Sequence, residues 1–350
     1  MTSHRLRGMS NLINSVEELE DLLSTPSPQD IDTFRNLKGD LLVVGVGGKI
    51  GPSLVRRAGR AAQAAGRKMR VIGTDVHCEE LAMEPLKEAG VEIQCTDLLN
   101  PDSFAGLPDV ENVIFMAGRK FGSTGGESLT WAMNVYVPAL IADRYRKSRI
   151  VAFSSGNIYP FTPIVSGGAT ESVVPAPIGE YAQSVLGRER MFEYFSGRNG
   201  TAVAMLRLNY AVELRYGVLL DIGNKVFEGK PVDLTMGAAN VMWQGDVNSI
   251  TLRSLAHCQS PPFILNMTGP ETLSVRAVAK RFGEFLGKDV ILEGQEAPNA
   301  LLNNAAKCHR MFGYPSVSID QIIEWIANWI KIGGWTLNKP THFETRDGKF

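Results

Sequence analysis

The sequence predicts an α/β protein, a doubly wound parallel sheet with a smaller C-terminal lid built from discontinuous segments. Two observations carry this. Short apolar runs, LLVVGV (41–46), RVIGTD (70–75), VEIQCTD (91–97), VIFMAG (113–118), RIVAFSS (149–155) and AVAMLRL (202–208), alternate with helical patterns near 51–66, 78–89, 127–146 and 179–198. The runs are continuously apolar, as strands covered on both faces must be, and strand–helix alternation builds parallel sheets.

Residues 1–38 read as a helical extension. Ser15 with Glu18 forms a capping-box pattern, and Ser27-Pro28 places a cap before a proline at the first helical position. Val16, Leu19, Leu22 and Leu23 form a stripe that packs on the main domain or on a partner subunit. Segments 39–210 and 235–267 form the nucleotide-binding domain, with Leu265-Asn266-Met267 as one more sheet strand. Segments 211–234 and 268–350 form the substrate lid and C-terminal tail, in which Ser318 through Ile332 is an amphipathic helix capped by Ser318 and Gln321 and stopped by Gly333-Gly334.

Composition narrows the function classes. The hydrophobic fraction is 44%, the charged fraction 21% and the net charge −1, which speaks against a nucleic-acid or membrane surface. No apolar stretch of about 18 residues is present, so no membrane span is expected. Cys78, Cys95, Cys258 and Cys308 lack metal-ligand spacing and read as free thiols, implying a reducing, cytoplasmic setting. There is no HExxH motif or Cys/His cluster; His77, His257, His309 and His342 are isolated, and no metal is expected.

The chemistry starts at the first strand. Gly45, Gly48 and Gly51 in GVGGKIG close that strand and open a helix, with Lys49 and Ile50 between them and Pro52 just inside. Glycines there permit a tight turn and let a diphosphate reach helix-terminal amides, the phosphate turn of a Rossmann-type domain. Asp75 ends the second strand, 24 residues after Gly51, where a carboxylate grips the adenosine ribose diol and repels a 2′-phosphate. The cofactor read from this is NAD.

With these residues, the order of GVGGKIG, Asp75, Asp97-Leu98, MAGRK, Asn134, SSGNIY, YAQSVLGRE and NMTGPETLSV resembles the extended short-chain dehydrogenase/reductase family. These are the NAD-dependent sugar epimerases and dehydratases, such as UDP-galactose 4-epimerase. The resemblance covers the chain from about Asp40 onward. It implies adenine contacts from Asp97 and Leu98, backbone contacts from Met116 and Ala117, Lys120 near the pyrophosphate and ribose, and Asn134 close to the cofactor. It makes Ser155 and Tyr181 the catalytic pair: tyrosinate takes a substrate hydroxyl proton while serine holds the oxygen.

The chain departs from the family at one position. Where YxxxK has lysine, this sequence has Val185. A tyrosine titrates near pH 10, so a base working at neutrality must be brought down by about three pH units. A cation within about 4–6 Å supplies one to three of these; valine supplies none. Lys120 or Arg119, following the fourth strand, is the expected replacement. Gly156-Asn157 replace the acidic pair of the 4,6-dehydratases. The resulting expectation is an NAD-dependent epimerase/dehydratase-type oxidoreductase acting on a sugar or sugar-acid hydroxyl; the alternative is a catalytically weak NAD-binding sensor or assembly protein. A homodimer is implied through the helices carrying Asn134 and Tyr181, with Leu186, Met191, Phe192 and Phe195 either forming a bundle face or packing on the sheet.

Overall fold

Seven parallel strands make the central sheet of the computed structural model, which describes residues 12–76 and 84–349. They are β1 (Leu41–Val44), β2 (Val71–Asp75), β3 (Val91–Cys95), β4 (Asn112–Phe115), β5 (Arg149–Ser155), β6 (Val203–Leu208) and β7 (Phe263–Met267). Their spatial order is β7-β6-β5-β4-β1-β2-β3. Leu41 pairs with both Val71 and Asn112, so the chain leaves β1 toward one edge and later returns on the other side. That reversal lies between β1 and β4, and it opens a crevice at the carboxyl ends of the strands, the usual ligand position in such sheets.

Alternate residues of each strand face opposite layers. Leu41, Val43, Ile114, Val151 and Leu206 share one core with helix α3 (Gly51–Ala64). Leu42, Val44, Val113, Phe115 and Ala152 share another with α7 (Val137–Arg144) and α8 (Gly179–Asn199). The third core lies in the later part of the chain, around α9 (Val218–Phe227), α11 (Val275–Leu286) and α13 (Ile319–Lys331). The remaining helices are α1 (Val16–Ser24), α2 (Pro28–Asn36), α4 (Glu84–Glu88), α5 (Pro101–Ala105), α6 (Glu127–Trp131), α10 (Gln244–Arg253) and α12 (Ala306–Phe312).

Several boundaries differ from the sequence reading. The strands at 41–46, 91–97 and 113–118 end early; Gly45 already has φ +96°, which takes the chain out of the strand into the turn. The helix expected over 127–146 is divided by a π-helical turn, Ala132–Tyr136. Pro138 has no N–H to give to the carbonyl of Asn134, so the regular ladder fails there. The first residues of the helix expected over 78–89, with His77 and Cys78, lie outside the described residues, as do residues 1–11.

Ser27 forms a full capping box with Asp30, and Ser15 accepts from the Glu18 amide. The Glu18 carboxylate, however, takes the Asn14 amide rather than that of Ser15. Leu19 and Leu23 are buried in the third core and Val16 packs against it, whereas Leu22 is exposed. Phe192 is buried against Phe115, and Leu186 and Phe195 also pack inward. The face left outside by the two helices shows Leu129, Trp131, Tyr136 and Tyr194 instead.

The expectation of free thiols is corrected at one position. Cys258 and Cys308 are free, but Cys95 is disulfide-bonded, so the argument from free thiols to a reducing setting does not hold for it. Among the described residues no helix is long and apolar enough to cross a membrane, and no cluster of His, Cys, Asp or Glu could hold a metal ion.

Candidate functional site

The glycine turn sits at the reversal point, and its glycines are required for different reasons. A Cβ on Gly45 would stand 2.6 Å from the Ala117 nitrogen, and one on Gly51 2.3 Å from the Val46 carbonyl oxygen, so both positions are fixed by backbone packing. A Cβ on Gly48 would meet only the Gly45 oxygen at 3.5 Å, ordinary contact. Packing does not demand glycine at 48; an approaching ligand would. Gly47 was not singled out in the sequence, yet its amide donates to the Asp75 carboxylate at 2.9 Å, and a Cβ there would touch that carboxylate. Asp75 is thus held against the turn.

Ile50 precedes α3 with no side-chain cap, so the first helical amides remain turned toward the crevice. Met116 donates its amide to the Val44 carbonyl, and Ala117 packs on Gly45, which puts the end of β4 beside the turn. Asp97 is exposed and its carboxylate accepts the Leu99 amide, whereas Leu98 is buried in the sheet core.

Two lysines line the crevice. Lys49 Nζ lies 3.1 Å from the Tyr216 ring centroid and 4.2 Å from that of Phe121. Burial, and then Lys120 and Lys339, lower its pKa to about 7 against the opposing pull of Asp221. Lys120 is lowered to about 8, again by burial, with Asp221 opposing. Asp221 is anchored by the Thr341 amide and hydroxyl, 2.7 and 2.5 Å away, which brings the C-terminal tail to this mouth.

Ser155 closes β5 and is almost fully buried. Its hydroxyl shares a hydrogen bond with Tyr181, donates to Asn157 Oδ1 at 3.0 Å and accepts the Asn157 amide at 3.1 Å. Tyr181 lies in the first turn of α8. Burial pushes its hydroxyl above the ordinary tyrosine value, while Arg188 and Ser155 pull it back. A cavity beside Asn157, the partner of Ser155, is also lined by Tyr159, Ile178, Tyr210, Met236 and Arg346. A roomier hollow is lined by Asn303, Asn304, His309 and Tyr314, and none of the expected site residues lines either one.

Val185 is buried with Ile158, Tyr159 and Ala169 and brings no charge to the site. Of its expected replacements, Lys120 Nζ is 5.8 Å from the Tyr181 ring centroid. Arg119 turns back on its own loop, donating to the Gly122 carbonyl at 3.1 Å, and is corrected as a partner of Tyr181. Asn134 is wholly engaged in protein contacts. Its Oδ1 accepts from the Arg119 amide (2.9 Å) and Arg188 (2.8 Å), and its Nδ2 donates to the Arg119 carbonyl and Ser184 Oγ, both at 2.9 Å. It ties the loop after β4 to α8 and shapes the crevice from behind.

Sequence reasoning missed Tyr210, Tyr216 and Arg188. Tyr210 has φ 48°, a left-handed conformation uncommon for a tyrosine, and its hydroxyl is pushed up by burial and then by Glu344 and Tyr181. No sequence signal marks it. Arg188 did carry a signal: it follows Tyr181 by seven residues on one helix, two turns on and on the same face.

Neither a family model nor a curated protein matches the chain. Solved structures do. UDP-glucuronic acid 4-epimerase from Bacillus cereus, in complex with NAD, superposes with a TM-score of 0.70 at 18% identity, over 83% of this chain and 96% of that one. UDP-glucose 4-epimerase from Thermus thermophilus, also with NAD, gives 0.68 at 19% over 83% and 99%. That from Thermotoga maritima, with UDP-glucose, gives 0.68 at 16% over 83% and 98%. The chain shares the fold of these structures, a Rossmann-type parallel sheet with flanking helices. Within that fold the glycine turn, Asp75, Ser155 and Tyr181 all stand at the carboxyl edge of one sheet.

Proposed function

We propose that this chain binds NAD and acts as an epimerase/dehydratase-type oxidoreductase on a sugar or sugar-acid hydroxyl. The observation that carries the reading is the hydrogen bond between Ser155 and Tyr181 at the end of β5. A base needs a hydroxyl in reach of the proton it takes, and a serine that shares the bond can hold the substrate oxygen at the same point. Likeness to sugar-nucleotide epimerases in fold supports the substrate class.

The residues present fit a dinucleotide. Gly48 leaves the approach to the turn open, the α3 amides meet a diphosphate, and Asp75 faces a ribose diol while disfavouring a 2′-phosphate. When bound, NAD supplies a hydride acceptor. Gly45, Gly48, Lys49, Ile50 and Gly51 would hold its diphosphate with Lys120, Asp97 and Leu98 would border the adenine, and Met116, Ala117 and Asn134 would form the wall beyond. Tyr181 Oη receives the substrate proton, and Ser155 orients the oxygen that loses it. Segments 39–210 and 235–267 carry the cofactor side, and 211–234 with 268–350 the substrate lid. The exposed Leu129, Trp131, Tyr136 and Tyr194 would form the contact of a homodimer, which gel filtration checks.

The test is calorimetry with NAD+ and NADH, followed by fluorescence of NADH formed on a panel of UDP-sugars and sugar acids. Uptake of the dinucleotide, reduction by at least one sugar, and a roughly 10²–10⁴-fold loss of turnover in Tyr181→Phe with binding intact are expected. No uptake of either nucleotide would overturn the reading.

A further inference from the structure

Among the described residues four arginines are almost fully buried: Arg57, Arg188, Arg207 and Arg215. Three of them have carboxylate partners, Arg57 with Asp30 at 2.6 Å, Arg207 with Glu189 at 2.7 Å, and Arg215 with Glu20 and Glu213 at 2.6 and 3.1 Å. Among the described residues Arg188 has none. Its guanidinium donates to neutral oxygens, the Phe153 carbonyl at 2.9 Å and Asn134 Oδ1 at 2.8 Å, and its Nε–H is buried without a partner. The neighbouring Glu189 is already taken by Arg207 and Ser154.

A buried cation with no ion-pair partner is costly and calls for a compensating role, even with the Glu189 carboxylate favouring its charge from the next residue. The fold has accommodated this one deliberately. Gly118 has no side chain where Arg188 passes; a Cβ there would lie 2.3 Å from Nη2. Asn134, placed by the π-helical turn, accepts from the guanidinium. The guanidinium is therefore bonded to β5 two residues before Ser155, the partner of Tyr181, and stands on the face of α8 that carries Tyr181, seven residues earlier on the same helix.

We propose that Arg188 is the positioning cation of this site, reaching Tyr181 from two helical turns away in place of the lysine absent at Val185. The proposal rests on the functional reading above only for what Tyr181 then does. Its electrostatic content concerns the chain alone: Arg188 stabilises the tyrosinate form of Tyr181. The hydroxyl's other charged or titratable neighbours are Lys120 from the loop after β4, Tyr210 after β6 and Tyr216 before α9. Burial lowers Arg188 itself only to about 10, so it keeps its charge through neutral pH, and a tyrosinate at Tyr181 holds that charge on into the range where the pair titrates.

The experiment is a spectroscopic titration of tyrosinate absorbance, with Tyr181 isolated as the difference between each protein and its Tyr181→Phe counterpart. In Arg188→Gln, which keeps a hydrogen-bond donor and removes the charge, the Tyr181 midpoint should rise by about one pH unit or more. Arg188→Lys should keep the midpoint near that of the unaltered chain. Val185→Lys added to Arg188→Gln should bring it back down. A folded Arg188→Gln with an unchanged midpoint overturns the proposal. If that variant does not fold, the Val185→Lys/Arg188→Gln pair decides: a folded protein with the low midpoint supports the proposal, and loss of fold or a high midpoint overturns it. Calorimetry with NAD+ on the unaltered chain separates the two readings, since absence of binding removes the enzyme and leaves the midpoint comparison standing.

Discussion

Two neighbouring regions of α8 treat buried charge in opposite ways. Behind the strand ends, Arg207 meets Glu189 through both its Nε and Nη2, at 2.9 and 2.7 Å, while Ser154 donates to the same carboxylate and Tyr159 accepts from the same guanidinium. Tyr159 then donates to Asn266 on β7, so the network joins β5, β6, β7 and α8 with its charges compensated. One residue earlier in the chain, Arg188 is buried behind the crevice with no carboxylate bonded to it, and at the crevice mouth burial and the neighbouring Lys120 lower Lys49. The frame is saturated with partners and the crevice has an excess of positive charge. A frame must be stable alone, whereas a site for anions and a tyrosinate is completed by what it binds.

The largest expected effect breaks the saturated side. Glu189→Gln leaves Arg207 buried without its counter-charge and should cost about 3–5 kcal/mol in denaturant unfolding. Arg188→Met removes a charge that had no carboxylate, and its stability should change by less than about 1 kcal/mol in either direction. Equal losses in the two variants would erase the distinction between the regions.

The glycine turn repeats the contrast on a smaller scale. Gly51→Ala forces a Cβ into the Val46 carbonyl and should destabilise by about 1–3 kcal/mol, whatever the chain binds. Gly48→Ala meets no such obstacle, so its melting temperature should stay close to that of the unaltered chain while affinity for NAD+ falls. A Gly48→Ala variant that binds as well as the parent would show that the open side of the turn faces nothing.

What could be read from the sequence follows the same division. The frame was legible because its signals are local: apolar runs for β1 to β6, caps at Ser27 and Ser318, and glycines that only a tight turn explains. Ser155 and Tyr181, the pair that the family resemblance implies, lie 26 residues apart and share a hydrogen bond. The partners of Tyr181 were not legible. Arg119 and Lys120 are adjacent in sequence, yet one curls onto Gly122 and the other enters the crevice, a choice made by loop geometry. Arg188 was passed over because an arginine on a helix usually reads as a solvated face, and its burial depends on Gly118 and on a π turn that Pro138 imposes. Cys95 was misread because spacing along the chain says little about which thiols meet.

The smallest effect tests the sign of the crevice's charge. Lys49 has a folded pKa of about 7, below the ordinary lysine value of 10.5. In the window between those values the unfolded chain holds more protons than the folded one, so stability rises with pH there. Below pH 7 both states are protonated and the cost of the buried charge is fully present. A Lys49→Met variant should therefore be the more stable protein at pH 6, and the difference should shrink as pH rises toward 10. A dinucleotide diphosphate would reverse the repulsion and return protons to Lys49 and Lys120, the latter lowered to about 8. Calorimetry of NAD+ binding at pH 8 in buffers of different ionisation enthalpy should then show uptake of on the order of one proton. Release of protons, or none moved, would mean that the lysines of the mouth do not meet the diphosphate, and the excess charge of the crevice would need another ligand to explain it.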